Sequence, residues 1–279
     1  MADERFDKGP PRLPDDYFQV PASARIWNYW LGGKDNYQVD REAGDAYLAV
    51  YPAIRTVARQ SRQFLIRSVR YLAGEAGIRQ FLDIGTGLPA MQNTHEVAQS
   101  VAPGSTIVYV DNDPVVLAHA RAILTNLASG FGPVDYIDAD VHHPELIIAE
   151  ARGLLNLDEP VSVMFFGILG HVADLGEARS IVTRVMDAMP PGSYLTIYDG
   201  TSTSAAFVEA EKTYDDTGAV PYVLRSPEQV AGFFDGLELV EPGVVSISQW
   251  RPDAADLGTP QPVDAHGAVA RKCASGARE

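Results

Sequence analysis

The chain has 279 residues, 46% hydrophobic and 21% charged, with a formal net charge of −15. That length fits one large domain, or one domain with an elaborate cap. The acidic balance argues against a broad phosphate-binding surface, and so against DNA, rRNA or tRNA as substrate, although a local basic groove stays compatible with it. The single cysteine, Cys273, excludes an intramolecular disulfide and a cysteine-based metal site, and no metal is expected. No apolar signal region follows Met1-Ala2-Asp3-Glu4-Arg5. The longest apolar stretch, Val161 to Ala173, is too short to span a bilayer. A soluble, cytoplasmic protein is expected.

Residues 1–22 are polar and proline-rich, and read as an arm. Residues 23–51 hold aromatic-rich helical stretches around the Gly32-Gly33 break. In 54–73, Ile54, Val57, Ala58, Leu65, Val69 and Leu72 fall near one face, which predicts a helix, and Gly74 and Gly77 mark its end. Strands and helices then alternate. Strands are expected at 79–83, 106–110, 134–137, 161–166 and 193–198, and helices at about 90–101, 114–128, 144–156 and 174–189. Asp113-Pro114 supplies an N-cap and a first-turn proline, and Asp174-Leu175-Gly176-Glu177 resembles a capping box. Such alternation implies right-handed βαβ crossovers and a parallel sheet. Helices at 203–215 and 226–235 follow, with late β structure at 237–240, 244–250 and 267–272.

The most informative segment is Phe81-Leu82-Asp83-Ile84-Gly85-Thr86-Gly87-Leu88-Pro89-Ala90. An apolar strand carries a carboxylate near its end, and a Gly-x-Gly turn follows. Such a turn lets backbone approach a ligand that a Cβ would block. Gly85-x-Gly87-x-x-Ala90 also fits the dinucleotide fingerprint, with Asp111 further on, so a nicotinamide oxidoreductase is one reading. Asp83 argues against it, because a carboxylate there repels a pyrophosphate and attracts an ammonium. S-adenosylmethionine carries an ammonium and a sulfonium. Thr106 to Asp111 is a second run ending on an acid, suited to accept from two ribose hydroxyls. The third run ends at Asp138-Ala139-Asp140; Asp140 is the preferred partner for an adenine amino group, with Asp138 as the alternative. All three acids belong to the sheet edge where open α/β sheets bind ligands.

These residues resemble a class I S-adenosylmethionine-dependent methyltransferase. More narrowly, the chain is similar to a bacterial group of S-adenosyl methyltransferases. The likeness covers nearly the whole chain and is carried by Ala24 to Tyr37, Asp83 to Pro89, Asn93-Thr94-His95-Glu96 and Val110 to Pro114. One departure is Pro89, where a third glycine is usual. The resemblance implies a doubly wound, Rossmann-like, mostly parallel seven-stranded sheet with an antiparallel C-terminal hairpin and an N-terminal helical cap. Residues 1–53 form the arm and cap, and 54–279 the methyltransferase domain. Asp83, Gly85, Thr86, Gly87, Asp111, Asn112, Asp140, Val141, Phe166 and Gly167 are then the expected cofactor contacts. Lys34 or Asn36 of the cap could meet the methionine carboxylate. Arg55, Arg59 and Arg62 share a helical face and are the alternative, although a solvated basic face is the plainer reading. His171, after the fourth strand, is the candidate general base. Its plainer reading is a loop histidine with a backbone partner. The acceptor is expected to be a small molecule, its identity encoded in 17–51 and 201–227. A non-enzymatic S-adenosylmethionine-binding protein is the third reading, because methyl transfer leaves no obligatory catalytic signature.

Overall fold

The computed structural model describes residues 17–89, 92–126, 130–253 and 260–274. Three helices come first: α1 (Ser23–Trp30), α2 (Gln38–Val50) and α3 (Ile54–Gly74). The alternating part runs β1 (Gln80–Ile84), α4 (Thr94–Val101), β2 (Thr106–Asp111), α5 (Pro114–Asn126), β3 (Val134–Asp138), α6 (Pro144–Ala151), β4 (Ser162–Phe166), α7 (Leu175–Asp187) and β5 (Tyr194–Gly200). It closes with α8 (Ala205–Asp215), α9 (Pro227–Ala231), β6 (Glu238–Leu239), β7 (Val245–Ser246) and β8 (Ala265–Arg271). The first residues of the helix expected from 90, the end of the one expected to 128, and 254–259 of the late connection lie outside the described residues, as do residues 1–16 of the arm.

The sheet order is β3-β2-β1-β4-β5-β8-β6, with β7 also on β8. Strands β1 to β5 pair in parallel, and β8 inserts antiparallel beside β5 from Tyr194↔Arg271 to Gly200↔Ala265. The expected mostly parallel sheet with an antiparallel C-terminal end is therefore present. Its outermost position is filled by two short pieces, β6 and β7, which brings the strand number to eight. Pro242 lies between them with no N–H to give the ladder, and Gly243 turns the chain at φ +84°.

Two apolar clusters sandwich the sheet. On one side α1, α2, α3 and α4 contribute Ile26, Tyr47, Phe64 and Val97. On the other, α6 and α7 contribute Ile147, Ile181 and Val185. The central strand residues Phe81, Leu82, Val108 and Phe165 are fully buried, each stabilising the fold by about 1.5–3 kcal/mol. Two predicted elements end early. Helix α6 stops at Ala151, and beyond it the Gln80 side chain pairs with the backbone of Asn156 in both directions, at 2.7 and 2.9 Å. The strand expected to Trp250 becomes a 3-10 turn at Ile247–Gln249. There Arg67 of α3 donates to the carbonyls of Trp250 (2.9 Å) and Ile247 (2.6 Å), holding the Trp250 ring against Phe64.

The first two helices are joined by a buried ion pair. Arg25 Nε donates to Asp40 at 3.0 Å, and both side chains are almost wholly buried. Asp40 also accepts the N–H groups of Ala22 (3.0 Å) and Tyr37 (2.8 Å), and Arg25 donates to the carbonyls of Tyr17 and Val20. The turn between the helices, the start of α2 and the chain leading into α1 thus converge on one carboxylate. Removing one member leaves the other charge uncompensated. Asp40→Ala is expected to cost about 3–5 kcal/mol, whereas Asp253→Ala, which breaks the exposed Arg70–Asp253 pair, should cost less than about 1 kcal/mol. Hydrogen exchange over residues 22–50, with chemical denaturation of both variants, checks this.

Candidate active site

In a parallel sheet the carboxyl ends of consecutive strands share an edge, and the connections leaving them splay apart to form a cleft. Here the cleft has a volume of about 400 Å³. Asp83 near the end of β1, Asp111 at the end of β2 and Asp140 just beyond β3 all line it. So do Gly85, Thr86, Gly87, Asn112, Val141, Phe166, Gly167 and His171.

Asp83 is only 3% exposed. It accepts a 2.6 Å hydrogen bond from the Thr94 hydroxyl at the start of α4. Burial pushes its carboxyl up to about 6, against the pull of Thr94 and of the Arg62 guanidinium; the neighbouring Asp111 adds to the rise. Arg62 of α3 lines the same cleft and donates to Asn93 Oδ1 at 3.0 Å. Glu96 in turn accepts the Asn93 N–H at 2.7 Å. The Asn93-Thr94-His95-Glu96 segment is thus the helix start that holds Asp83 and Arg62 in one place.

The turn after β1 needs glycine for two reasons. Gly85 has φ +76°, and a Cβ there would lie 2.5 Å from Ile168. Gly87, at φ +67°, turns its N–H onto Asp111 Oδ2 at 2.7 Å. Asp111 Oδ1 takes the N–H groups of Asn112 (2.9 Å) and Asp113 (3.0 Å). Burial raises the Asp111 pKa despite these three donors. A carboxylate has about four lone-pair sites, so about one acceptor site remains.

Asp140 is the contrast. Partial burial raises its pKa, but hydrogen bonds from His142 and Asn112 outweigh that, and the net shift is downward. Asn112 Nδ2 donates to it at 2.8 Å, and the His142 N–H at 2.9 Å. Asp138 is exposed at the end of β3 and is not in the cleft lining.

Two expected contacts lie elsewhere. Lys34 is exposed in the α1–α2 turn and outside the lining. Asn36 is also outside it, its amide donating to Asn28 Oδ1 at 2.9 Å and to the Gly33 carbonyl at 3.0 Å. Asn28, buried on α1, is the polar residue that Asn36 holds at the cleft. Arg55 and Arg59 are exposed, as a solvated face requires, but Arg62 turns inward, so the three do not act alike. Helix spacing alone could not separate them; the difference is that the start of α4 packs over Arg62.

His171 ends a 3-10 turn, Leu169–His171, after β4. Arg225 donates to the carbonyls of Leu169 (2.7 Å) and Val172 (2.5 Å), and its guanidinium lies 3.5 Å from the buried Asp199. His171 Nδ1 is 3.0 Å from the Pro221 carbonyl, so it carries the proton, and Nε2 is left to accept from Ser23 Oγ at 3.2 Å. Burial lowers the His171 pKa, only partly offset by hydrogen bonds to the Pro221 and Val220 backbone, so the ring is neutral near pH 7. Helix α1 covers the cleft with Ser23, Ala24, Trp27 and Asn28, and Gly218 to Val220 close another side.

This fold and edge define a Rossmann-like methyltransferase architecture. The chain belongs to the S-adenosyl methyltransferase family, whose model matches residues 16–273. It is similar to the crystal structure of a DUF574 family protein from Streptomyces avermitilis, at 43% identity over 91% of this chain and 98% of that one, with a TM-score of 0.86. It is also similar to a candidate methyltransferase from Thermobifida fusca, at 37% identity over 94% of this chain and 98% of that one, with a TM-score of 0.83. None of the curated proteins compared with the chain matches it. The protein is therefore an S-adenosylmethionine-dependent methyltransferase. Among the described residues, no helix is long and apolar enough to cross a membrane.

The buried carboxyl makes a pH prediction. Its folded pKa of about 6 lies above the ordinary 3.8. A raised acid contributes stability that is complete below the unfolded pKa and is lost as pH rises through the folded one. Between pH 4 and 7 the ligand-free protein should lose on the order of 3 kcal/mol through this group. Asp83→Asn should flatten that part of a melting-temperature profile and melt above the parent at pH 8.

Proposed function

We propose that the protein transfers the methyl group of S-adenosylmethionine to a small molecule, with Asp83 and Arg62 holding the zwitterionic end of the cofactor. The observation that carries this is the pairing of a sealed carboxylate and an inward-turned guanidinium at one wall of the cleft, matching an ammonium and a carboxylate. Asp111 suits a ribose hydroxyl, because its three backbone donors leave about one acceptor site on a carboxylate that lines the cleft. Asp140 suits the adenine amino group, with Asn112, Val141 and His142 beside it. A pyrophosphate does not fit, because Asp83 and Asp111 would both face it. Lys34 and Asn36 are kept out of this assignment, since Asn36 is engaged in orienting Asn28. Residues 17–50 act as a cap over the 54–274 part. The roofed cleft and the acidic chain together favour a small acceptor over a nucleic acid.

When bound, S-adenosylmethionine supplies an electrophilic methyl carbon on a sulfonium. The chain's own contribution begins with position. Phe166, Gly167 and Ile168 leave β4 at the cleft, and α1 closes over it, so water is displaced from the reacting end. The second contribution is a proton acceptor. Neutral His171 offers Nε2, and Ser23 donates to it. A hydroxyl or amine acceptor arriving at Ser23 can pass its proton to Nε2 directly or through the Ser23 hydroxyl. The Pro221 carbonyl steadies the Nδ1–H of the resulting imidazolium.

S-adenosylhomocysteine should bind in calorimetry and NAD should not compete with it. Asp83→Asn should weaken binding by about tenfold to a hundredfold, the worth of a charge-assisted hydrogen bond. NAD binding without a response to S-adenosylhomocysteine would contradict the assignment, as would unchanged affinity in a folded Asp83→Asn protein. Once a metabolite screen identifies an acceptor, His171→Ala should lower turnover by roughly a hundredfold to ten-thousandfold while leaving cofactor affinity nearly intact. Full turnover would leave positioning alone as the mechanism.

A further inference from the structure

Behind the cleft lies a second, smaller chamber. Trp27, Trp30, Tyr47, Phe207 and Tyr214 supply much of its aromatic wall, and Glu211 of α8 is among the residues lining it. Ser23, Trp27 and Tyr198 line both the chamber and the cleft, so the two cavities adjoin at these residues, which we take as the doorway between them.

The carboxyl group in this chamber has no cationic partner. Glu211 Oε1 accepts from the Tyr47 hydroxyl at 2.5 Å. Its other oxygen, Oε2, is shut off from solvent without a hydrogen-bond partner, and the chamber lining contains no lysine, arginine or histidine. Two other buried acids are answered by arginines. Asp40 is paired with Arg25, and Asp199 with Arg225 and the Tyr222 hydroxyl. Burial pushes the Glu211 carboxyl up to about 7; the Tyr47 hydrogen bond opposes this and Asp215 adds to it. A core built only for packing does not need a carboxylate here, and an orphaned acceptor is costly. Aromatic faces carry negative potential, so rings and carboxylate select for the same thing, a positive group.

We infer that this chamber is the recognition subsite of the methyl acceptor and that it takes a compact ammonium head, anchored on Glu211 and faced by the surrounding rings. The inference rests on the methyl-transfer reading of the adjoining cleft. Size limits the occupant. The chamber holds about 30 Å³ of water-accessible space, where one water needs roughly 10–15 Å³. Only an amine-bearing tip enters, and the remainder of the acceptor extends through the doorway past Ser23. Glu211 is thus a specificity-determining residue, and the acceptor class is small amines rather than neutral alcohols or carboxylic acids.

The probes are ethylammonium, ethanol and acetate, titrated at pH 8 with and without saturating S-adenosylhomocysteine. Tryptophan fluorescence reports binding, because two of the three tryptophans line the chamber. Ethylammonium should bind about tenfold or more tightly than ethanol, and acetate should not bind. Glu211→Gln, nearly isosteric, should lose that preference by a similar factor while S-adenosylhomocysteine affinity stays at the parent value. Equal binding of ethylammonium and ethanol to the parent protein would overturn the subsite, and this comparison decides even where Glu211→Gln fails to fold. An undiminished preference in folded Glu211→Gln would overturn Glu211 as the anchor. Failure of S-adenosylhomocysteine to bind the parent protein is a separate result: it would overturn the cofactor assignment, and the acceptor role with it.

Discussion

A carboxylate sealed near the end of a central strand is the constraint around which the cleft is built. Asp83 is only 3% exposed, and a buried charge is costly unless it is answered. The structure answers it in part, through the Thr94 hydroxyl at 2.6 Å and the field of Arg62. Both depend on where α4 begins, because Thr94 opens that helix and Asn93 receives Arg62. The Gly85-x-Gly87 turn brings the chain back so that Gly87 engages Asp111. Two acids on adjacent strands then share one wall; burial raises the pKa of each, Asp111 adds to the rise at Asp83, and Asp113 adds to the rise at Asp111. A positively charged ligand relieves that repulsion and a negatively charged one worsens it. The proposed contact between Asp83 and the cofactor ammonium therefore suits the energetics of the protein without ligand.

The same logic runs through the cap. Arg25 and Asp40 are fifteen residues apart in sequence, yet they close the α1–α2 pair into a unit that roofs the cleft. That pairing brings Ser23 and Trp27 to the wall that the two cavities share. The cap and the strand edge are therefore parts of one site. Loosening the buried ion pair would reach the position of Ser23 before it reached the sheet.

How much of this was legible in the sequence depended on the kind of signal each residue carried. The strands were legible because β-branched and apolar runs alternate with helical periods, and their ends because Asp83, Asp111 and Asp140 each follow such a run. Gly85 and Gly87 were legible because a turn directly after a buried strand has few other uses. Arg62 was not, since spacing places it with Arg55 and Arg59 and only packing by α4 turns it inward. Lys34 and Asn36 drew attention as polar groups in an aromatic segment, but the buried Asn28 reaches the cleft and Asn36 serves to orient it. Arg25 and Asp40 gave no sign, because charges in sequence read as exposed until partners appear. The break of the last strand at Ile247–Gln249 depends on Arg67 reaching carbonyls about 180 residues away, which no local pattern encodes.

The central claim is that Asp83 holds the cofactor ammonium, which requires its carboxyl to ionise on binding. Calorimetry of S-adenosylhomocysteine binding near pH 6, in buffers of different ionisation enthalpy, measures the protons exchanged. The account predicts release of a substantial part of one proton from the parent protein and little from Asp83→Asn. Binding with no proton release from the parent, or equal release from both proteins, would contradict it.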